Sequence, residues 1–200
     1  QCREMTPDDI AASINDFAKA AFRAQTSGFD GVQLHGAHGY LISQFLSPFY
    51  NQRSDRYGGS LENRARYVLA VLKAVRSAVG DAYPVMIKIN SDDFLEDGFN
   101  LPEMLQVSVL LEQAGIDAIE VSGGTHLSPE AYSFSRKTGI VSSDKELYFK
   151  DAALRYKEKI SVPLILVGGI RSLGVAEQVV SEGITDYVSL CRPFIREPDL

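Results

Sequence analysis

Short apolar runs alternate with longer amphipathic segments along the chain, which is the pattern of strands and helices taken in turn. Five runs are continuous enough to predict buried strands, at residues 31–34, 85–90, 118–124, 163–169 and 187–190. Strands that are apolar at nearly every position are typical of a parallel sheet whose faces are covered by helices.

The segments between these strands carry helix start and stop signals. Thr6 can cap a helix that begins at Pro7, and Gly28 ends the periodic apolar positions that follow. The other predicted helices run from Ser60 to Gly80, from Asn100 to Gly115, around 146–159 and from Ser172 to Gly183. A polar loop containing Arg136 and Lys137 precedes the helix around 146–159.

The repeated alternation predicts the α/β class, with one parallel sheet covered by helices. A complete TIM (β/α)8 barrel has eight strands and typically about 250 residues. The chain has 200 residues and only five predicted strands. We therefore expect residues 1–200 to form a single domain that is part of a barrel, truncated at both ends.

Composition and charge limit the classes of partner that the protein can bind. Apolar residues make up 45% of the chain and charged residues 23%, which is ordinary for a soluble globular protein. The net charge of −6 disfavours nucleic acid and anionic membranes as partners, and no apolar run approaches the roughly 20 residues of a membrane span. Cys2 and Cys191 are too few for a disulfide framework or a metal site. We therefore expect a cytoplasmic protein.

Three hydrogen-bonding side chains follow the first predicted strand. His35, His38 and Tyr40 are interleaved with glycines and alanine, which predicts a tight loop. Because function in α/β folds lies at the carboxyl ends of strands, we interpret these residues as a candidate site. The alternative is that they only cap a barrel strand. A long polar and aromatic loop at 45–59 follows, whereas His126 is expected to face solvent.

Lys88 interrupts an otherwise apolar strand. An ammonium group is costly to bury alone, so it must reach solvent or meet a negative partner. Its alternation with Ile87 and Ile89 suggests that it points into the mouth of the barrel. The alternative is a structural ion pair with Asp92 or Asp93.

The last two predicted strands end in turns suited to an anion. Gly168 and Gly169 allow backbone amides to approach a ligand closely, and Arg171 adds positive charge. Cys191 and Arg192 follow the last strand in the same way. Since barrels often bind phosphate after their last two strands, we predict a phosphate site here. The alternative is a pair of plain turns with solvated arginines.

Two longer motifs bear a family resemblance. Residues 28–41 together with Phe45-Leu46-Ser47-Pro48, and residues 51–64, resemble the Old Yellow Enzyme family of FMN-dependent NAD(P)H oxidoreductases. The similarity continues through Val167-Gly168-Gly169 and Arg192-Pro193, so it spans nearly the whole chain. The resemblance implies a TIM barrel whose fourth to eighth strands are present here, with FMN at the carboxyl ends of the strands.

The resemblance also implies a role for each candidate residue. Those of the substrate pocket would be His35 and His38, which hydrogen-bond the substrate carbonyl oxygen, and Tyr40, the proton donor. Those of the cofactor pocket would be Lys88 beside the N1–C2 edge of the flavin, and Gly168, Gly169, Cys191 and Arg192 at the phosphate. Lysine stands where the family more often has arginine, and Cys191 stands where many members have glycine.

The implied reaction is the reduction of a small-molecule alkene that is conjugated to a carbonyl group. Hydride passes from flavin N5 to the alkene, after NAD(P)H has reduced the flavin. Two alternatives stay open. One is a phosphate-binding TIM-barrel enzyme without flavin. The other is a non-catalytic fragment that self-associates into a homo-oligomer, because inward-facing Ile87, Ile89 and Val121 would lack neighbours.

Overall fold

The computed structural model describes residues 3–135 and 142–200, so Cys2, Arg136 and Lys137 lie outside the described residues. The helices are α1 Pro7–Thr26, α2 Leu41–Leu46, α3 Leu61–Val79, α4 Leu101–Gln113, α5 Lys150–Lys157, α6 Leu173–Ser181 and α7 Arg192–Arg196. The strands are β1 Val32–Gly36, β2 Val85–Asn90, β3 Ala118–Ser122, β4 Leu164–Val167 and β5 Tyr187–Ser189. Two short 3₁₀ helices, Glu130–Tyr132 and Ser143–Lys145, lie between β3 and α5.

The predicted helix starts are confirmed at the first three long helices. The Thr6 hydroxyl accepts a hydrogen bond from the Asp9 amide at 3.2 Å, and the Asp9 carboxylate accepts one from the Thr6 amide at 2.8 Å. Ser60 and Asn100 cap α3 and α4 with their side chains. Ser172 precedes α6 as predicted but makes no side-chain cap bond. Local capping therefore accounts for where these helices begin.

The five strands form one parallel sheet in the order β1-β2-β3-β4-β5. Neighbouring strands in space are thus consecutive in the chain, and a helical segment connects each pair. This is the connectivity of successive strands in a TIM barrel. One row of paired residues crosses the whole sheet and consists of His35, Lys88, Glu120, Ile165 and Tyr187.

The two faces of the sheet differ in character. Side chains of paired residues in a parallel sheet point to the same face, and successive residues point to opposite faces. The face that carries the His35–Tyr187 row is called the site face below. The opposite face is the core, where Leu34, Ile87, Ile119 and Leu164 form a row buried against the helices.

The expectation that Ile87, Ile89 and Val121 face the barrel interior is wrong. All three are completely buried in the core between sheet and helices. The pleat explains the error, because Lys88 and its immediate neighbours in the strand cannot point to the same face. Placing Lys88 on the site face therefore places both isoleucines against the helices.

Several boundaries differ from the predictions. Strand β1 continues to Gly36, so His35 lies in the strand and not in the loop. The segment after Tyr40 forms the short helix α2 before the long loop begins. Helix α5 is shorter than predicted, and α7 was not predicted at all. Among the described residues, no helix is long and apolar enough to cross a membrane.

Arg64 joins the segments that carry the site to the helical layer. Its guanidinium, 5% exposed, donates hydrogen bonds to the carbonyl oxygens of Leu46 and Gly59 and forms an ion pair with Glu103 of α4. Leu46 is the last residue of α2, the helix that begins beside Tyr40. One buried cation therefore satisfies backbone carbonyls of α2 and of the following loop.

We expect Arg64→Met to lower the free energy of unfolding by about 3–5 kcal/mol, because it leaves Glu103 and two carbonyl groups without their partner. Urea denaturation followed by circular dichroism measures the change. Arg66→Met on the exposed side of the same helix is the matched control and should cost under about 1 kcal/mol. Equal losses in the two variants would contradict the role given to Arg64.

Candidate active site

Strand β1 and the turn after it bring three predicted site residues together. The ring centroids of His35 and His38 are 5.2 Å apart, and those of His35 and Tyr40 are 5.1 Å apart. The turn is tight because His38 and Gly39 both adopt left-handed backbone conformations, with φ of 66° and 79°. Gly36 is required by space, since a Cβ there would lie 2.9 Å from the carbonyl oxygen of Lys88.

His38 is held in place from three directions. Its Nε2 lies 2.8 Å from the hydroxyl oxygen of Ser122, at the end of β3. Its backbone amide donates to the side-chain oxygen of Asn90, at the end of β2, at 3.1 Å. Its ring stacks on Phe134, with centroids 4.7 Å apart and planes inclined by 15°. Residues from the carboxyl ends of β2 and β3 thus fix the backbone and the ring of His38, which follows β1.

Tyr40, unlike His35, lies outside strand β1, at the start of α2. Its side chain is 55% exposed, so its phenol is accessible from solvent. Its backbone occupies the N-cap position of α2, and its carbonyl accepts a hydrogen bond from the Gln44 amide at 2.8 Å. The backbone of Tyr40 is therefore fixed at a helix end while the residue stays largely exposed.

Lys88 lies next to His35 in the sheet register and forms an ion pair with Glu120. Its Nζ is 3.0 Å from Glu120 Oε1, and the other carboxylate oxygen accepts from Gln33 Nε2 at 2.9 Å. The pair is well shielded, because the side chains of Lys88 and Glu120 are 20% and 5% exposed. The prediction that Lys88 points to the mouth of the strands agrees with its place on the site face.

The alternative partners for Lys88, Asp92 and Asp93, are wrong. Asp93 accepts hydrogen bonds from Asn90 Nδ2 at 2.7 Å and from the Phe99 amide at 3.1 Å. Asp92 accepts from the Phe94 amide. Both carboxylates therefore organise the loop after β2. The strand pleat gives the reason, since Glu120 is the register partner of Lys88.

Both histidines of the cluster are held in the neutral form. Burial lowers the pKa of His38 to about 3, and the charge of Lys88 and that of a protonated His35 act in the same direction. Burial and Lys88 also lower the pKa of His35, while Glu120 opposes them. Near neutral pH, each ring therefore presents one N–H donor and one acceptor nitrogen.

The two turns predicted to hold phosphate lie at the same edge of the sheet, because β4 and β5 are paired. Gly168 and Gly169 have φ of 126° and 77°, and a Cβ at Gly168 would lie 2.8 Å from the Phe149 ring. Arg192 is exposed at the first position of α7, directly after the exposed Cys191. Both φ values favour glycine, and Gly168 is buried against Phe149 whereas Gly169 is partly exposed.

A carboxylate already serves the last part of the β4 turn. Glu146 accepts hydrogen bonds from the Arg171 amide at 2.8 Å and from the Ser172 hydroxyl at 3.0 Å. The backbone amide of Arg171 and the hydroxyl of Ser172 are thus committed to a structural contact within the protein.

Sequence reasoning missed three residues that shape the site, Glu120, Ser122 and Phe134. Glu120 was detectable, because it interrupts an apolar strand in the way that Lys88 does. Phe134 lies in a loop with no periodic signal. His126 is exposed, as expected. Among residues 3–135 and 142–200, no group of three His, Cys, Asp or Glu side chains is arranged to hold a metal ion.

Comparison with known proteins decides the family. The sequence profile of the NADH:flavin oxidoreductase / NADH oxidase family matches residues 1–200. The chain belongs to this family. The resemblance drawn from the motifs is thereby confirmed, and so, at the level of the family, is the expectation of a flavin cofactor with NAD(P)H as reductant.

Individual relatives agree with this assignment. The chain is 39% identical to an NADH oxidase of Thermoanaerobacter brockii over 200 residues, and 36% identical to a metal reductase of Desulforamulus reducens over 207 residues. It spans 30% and 28% of the lengths of these two proteins, although 100% and 98% of the chain is covered. The chain thus spans under a third of either relative.

Solved structures confirm the TIM-barrel fold class. A 2-naphthoyl-CoA reductase in complex with 2-naphthoyl-CoA superposes with a TM-score of 0.89 at 36% identity, covering 98% of this chain and 29% of that one. Morphinone reductase in complex with tetrahydroNAD gives 0.75 at 29% identity, covering 99% of this chain and 49% of that one. The five strands therefore correspond to part of a barrel in these proteins.

The lowered pKa values predict how the folded protein responds to acid. His38 should stay neutral down to about pH 3, whereas the same residue in the unfolded chain titrates near 6.5. Because the unfolded state then binds more protons, stability is complete above about pH 6.5 and declines as the pH falls through that value.

Proton NMR of the histidine rings between pH 8 and pH 4 measures the protonation of His38 in the folded protein. The urea-unfolded chain is the control. A His38 ring that titrates near 6.5 in the folded protein would contradict the burial assigned to it.

Proposed function

We propose that the protein is an FMN-dependent NAD(P)H oxidoreductase that reduces small-molecule alkenes conjugated to a carbonyl group. The supporting observation is the cluster of His35, His38, Tyr40 and Lys88 at the carboxyl ends of adjacent strands. It combines two neutral hydrogen-bond donors, a phenol and a cation within one mouth of the sheet. Such a set suits a substrate on which negative charge develops at a carbonyl oxygen.

The residues present fit an FMN cofactor. Lys88 supplies a cation on the site face, where the electron-rich edge of a reduced flavin would need one. Gly168 and Gly169 form a turn at the same edge of the sheet, where Gly168 packs against Phe149 and Gly169 is partly exposed. Arg192 adds positive charge after the neighbouring strand. We assign Lys88 to the flavin ring and Gly168, Gly169, Cys191 and Arg192 to the phosphate.

Bound FMN would supply the hydride that adds to the alkene. The chain's own contribution is to bind and polarise the substrate. If His38 Nε2 accepts the proton of the Ser122 hydroxyl, Nδ1 must carry the proton of the neutral ring. That N–H and one from His35 would then donate to the substrate carbonyl oxygen. Because the donors are fixed before the charge appears, they stabilise it without reorganisation.

Tyr40 is assigned as the proton donor to the carbon next to the carbonyl group. Its ring lies beside His35, and its hydroxyl is accessible from solvent. A phenol placed there can deliver a proton while the histidines hold the oxygen. The proton is replaced from water, because the side chain is exposed.

The alternatives from the sequence fare differently. Membership in a flavin oxidoreductase family argues against the alternative of a phosphate-binding barrel enzyme without flavin. Self-association into a homo-oligomer stays a prediction, as does the cytoplasmic location. The partly exposed apolar side chains of the site face, such as Tyr187 at 60% exposure, support self-association. Light scattering on the purified chain would test it.

The histidine assignment predicts the behaviour of the double variant His35→Ala/His38→Ala. Phenols can place a phenolate oxygen where the substrate carbonyl oxygen would lie, so they should bind at least about tenfold more weakly once both donors are lost. Flavin absorbance near 450 nm should remain. The measurement is a phenol titration of the FMN-loaded protein, followed by long-wavelength absorbance.

Phe22→Ala is the control, since this ring is 51% exposed on α1, away from the turn that carries His38. Unchanged phenol affinity in the double variant would rule out the pair as the oxyanion site. Loss of the yellow colour would instead place the histidines in cofactor binding.

The assignment of Tyr40 predicts a selective defect in Tyr40→Phe. Reduction of the flavin by NAD(P)H should be nearly unaffected, whereas reoxidation by an enone should slow by roughly 10²–10⁴-fold, as is typical when a general acid is lost. Stopped-flow absorbance separates these half-reactions. Tyr83→Phe, which removes a hydroxyl bonded to the Phe29 carbonyl far from the site, is the control. Equal slowing of both half-reactions would mean that Tyr40 positions the cofactor instead.

A further inference from the structure

Glu120 is a buried carboxylate to which the proposed reaction gives no role. It lies in the middle of β3, is 4% exposed, and is surrounded in its own strand by apolar residues. Leaving a carboxylate in such a place is costly unless both oxygens are satisfied. Both are, by Lys88 from β2 and by Gln33 from β1.

This network fixes the position of Lys88. A lysine side chain has a flexible four-carbon stem and can place its ammonium group at many points. Here the ammonium is tied to Glu120 Oε1 at 3.0 Å, and the carboxylate is itself tied to Gln33 at 2.9 Å. Three adjacent strands therefore hold one flexible cation at a defined place beside His35.

The network also changes the charge that the site presents. A carboxylate 3.0 Å from the ammonium group offsets most of the field of Lys88 at longer range. His35 and His38 both feel the charge of Lys88, and both are neutral near pH 7 because their pKa values are lowered. The net charge of this cluster is therefore close to zero.

We propose that Glu120 is a positioning residue for Lys88 and that it moderates the positive charge offered to the flavin. The site then presents a fixed lysine–glutamate pair in place of a lone cation. The flavin part of this proposal rests on the proposed function, whereas the anchoring of Lys88 does not. Both parts are tested by Glu120→Gln, which keeps the shape of the side chain and removes its charge.

The anchoring is measured without cofactor, by NMR order parameters of the lysine ammonium groups in the purified chain. In Glu120→Gln, the order parameter of Lys88 should fall by at least a third, toward the values of flexible side chains. Lys157 is the internal control, because it pairs with Asp186 at 2.9 Å elsewhere and should not change. If Glu120→Gln does not fold, Glu120→Asp carries the test, with a smaller fall expected because the shorter carboxylate loses reach.

The moderation of charge is measured as the reduction potential of bound FMN. Glu120→Gln should raise the potential, because an uncompensated cation favours the anionic reduced flavin. Lys88→Met should lower it. Each tenfold preference for the reduced over the oxidised cofactor corresponds to about 30 mV for a two-electron couple. Opposite shifts in the two variants are a signature that general loss of structure does not produce.

The outcomes are distinguishable. An unchanged order parameter of Lys88 in Glu120→Gln would overturn the anchoring, whether or not the chain binds FMN. A potential that is unchanged or lower in Glu120→Gln would overturn the moderation of charge while leaving the proposed oxidoreductase intact. Failure of the wild-type chain to bind FMN would count against the proposed function, and the NMR result on Lys88 would still stand.

Discussion

The two-residue alternation of a parallel strand is the constraint on which the rest of this structure depends. It sends Ile87 and Ile89 into the core and, between them, Lys88 to the opposite face. Because paired residues share a face, the same register brings His35 and Glu120 to either side of Lys88. One geometric rule thus builds the core and the candidate site together, and neither can shift by a residue without destroying the other.

The chemistry of the site follows from what this row contains. Lys88 and Glu120 satisfy each other in a poorly hydrated place, and burial with the nearby lysine keeps both histidines neutral. Neutral imidazoles can donate to a carbonyl oxygen without adding a full charge, which fits the proposal that the histidines bind the substrate and Lys88 the flavin. Tyr40 lies outside the row and is exposed, which supports the proposal that it donates a proton and is reprotonated from solvent.

Much of the fold and part of the candidate site could be predicted from the sequence, because they depend on local sequence signals. The caps at Thr6, Ser60 and Asn100, the apolar strands and the motif around His35 are all local signals. The predictions that failed concern contacts between residues far apart in the sequence. The partner of Lys88 is 32 residues away on β3 and is chosen by register, which no spacing within the strand reveals. The stacking of Phe134 on His38 depends likewise on how a loop folds back across the mouth.

The central claim is that the site face, at the carboxyl ends of the strands, holds FMN. A crystal structure of the chain grown with FMN tests it most directly. The account predicts the flavin ring against the face that carries His35 and Lys88, with the phosphate between the turns at Gly168-Gly169 and Arg192. A cofactor bound on the helical side, or a phosphate held away from both turns, would contradict it.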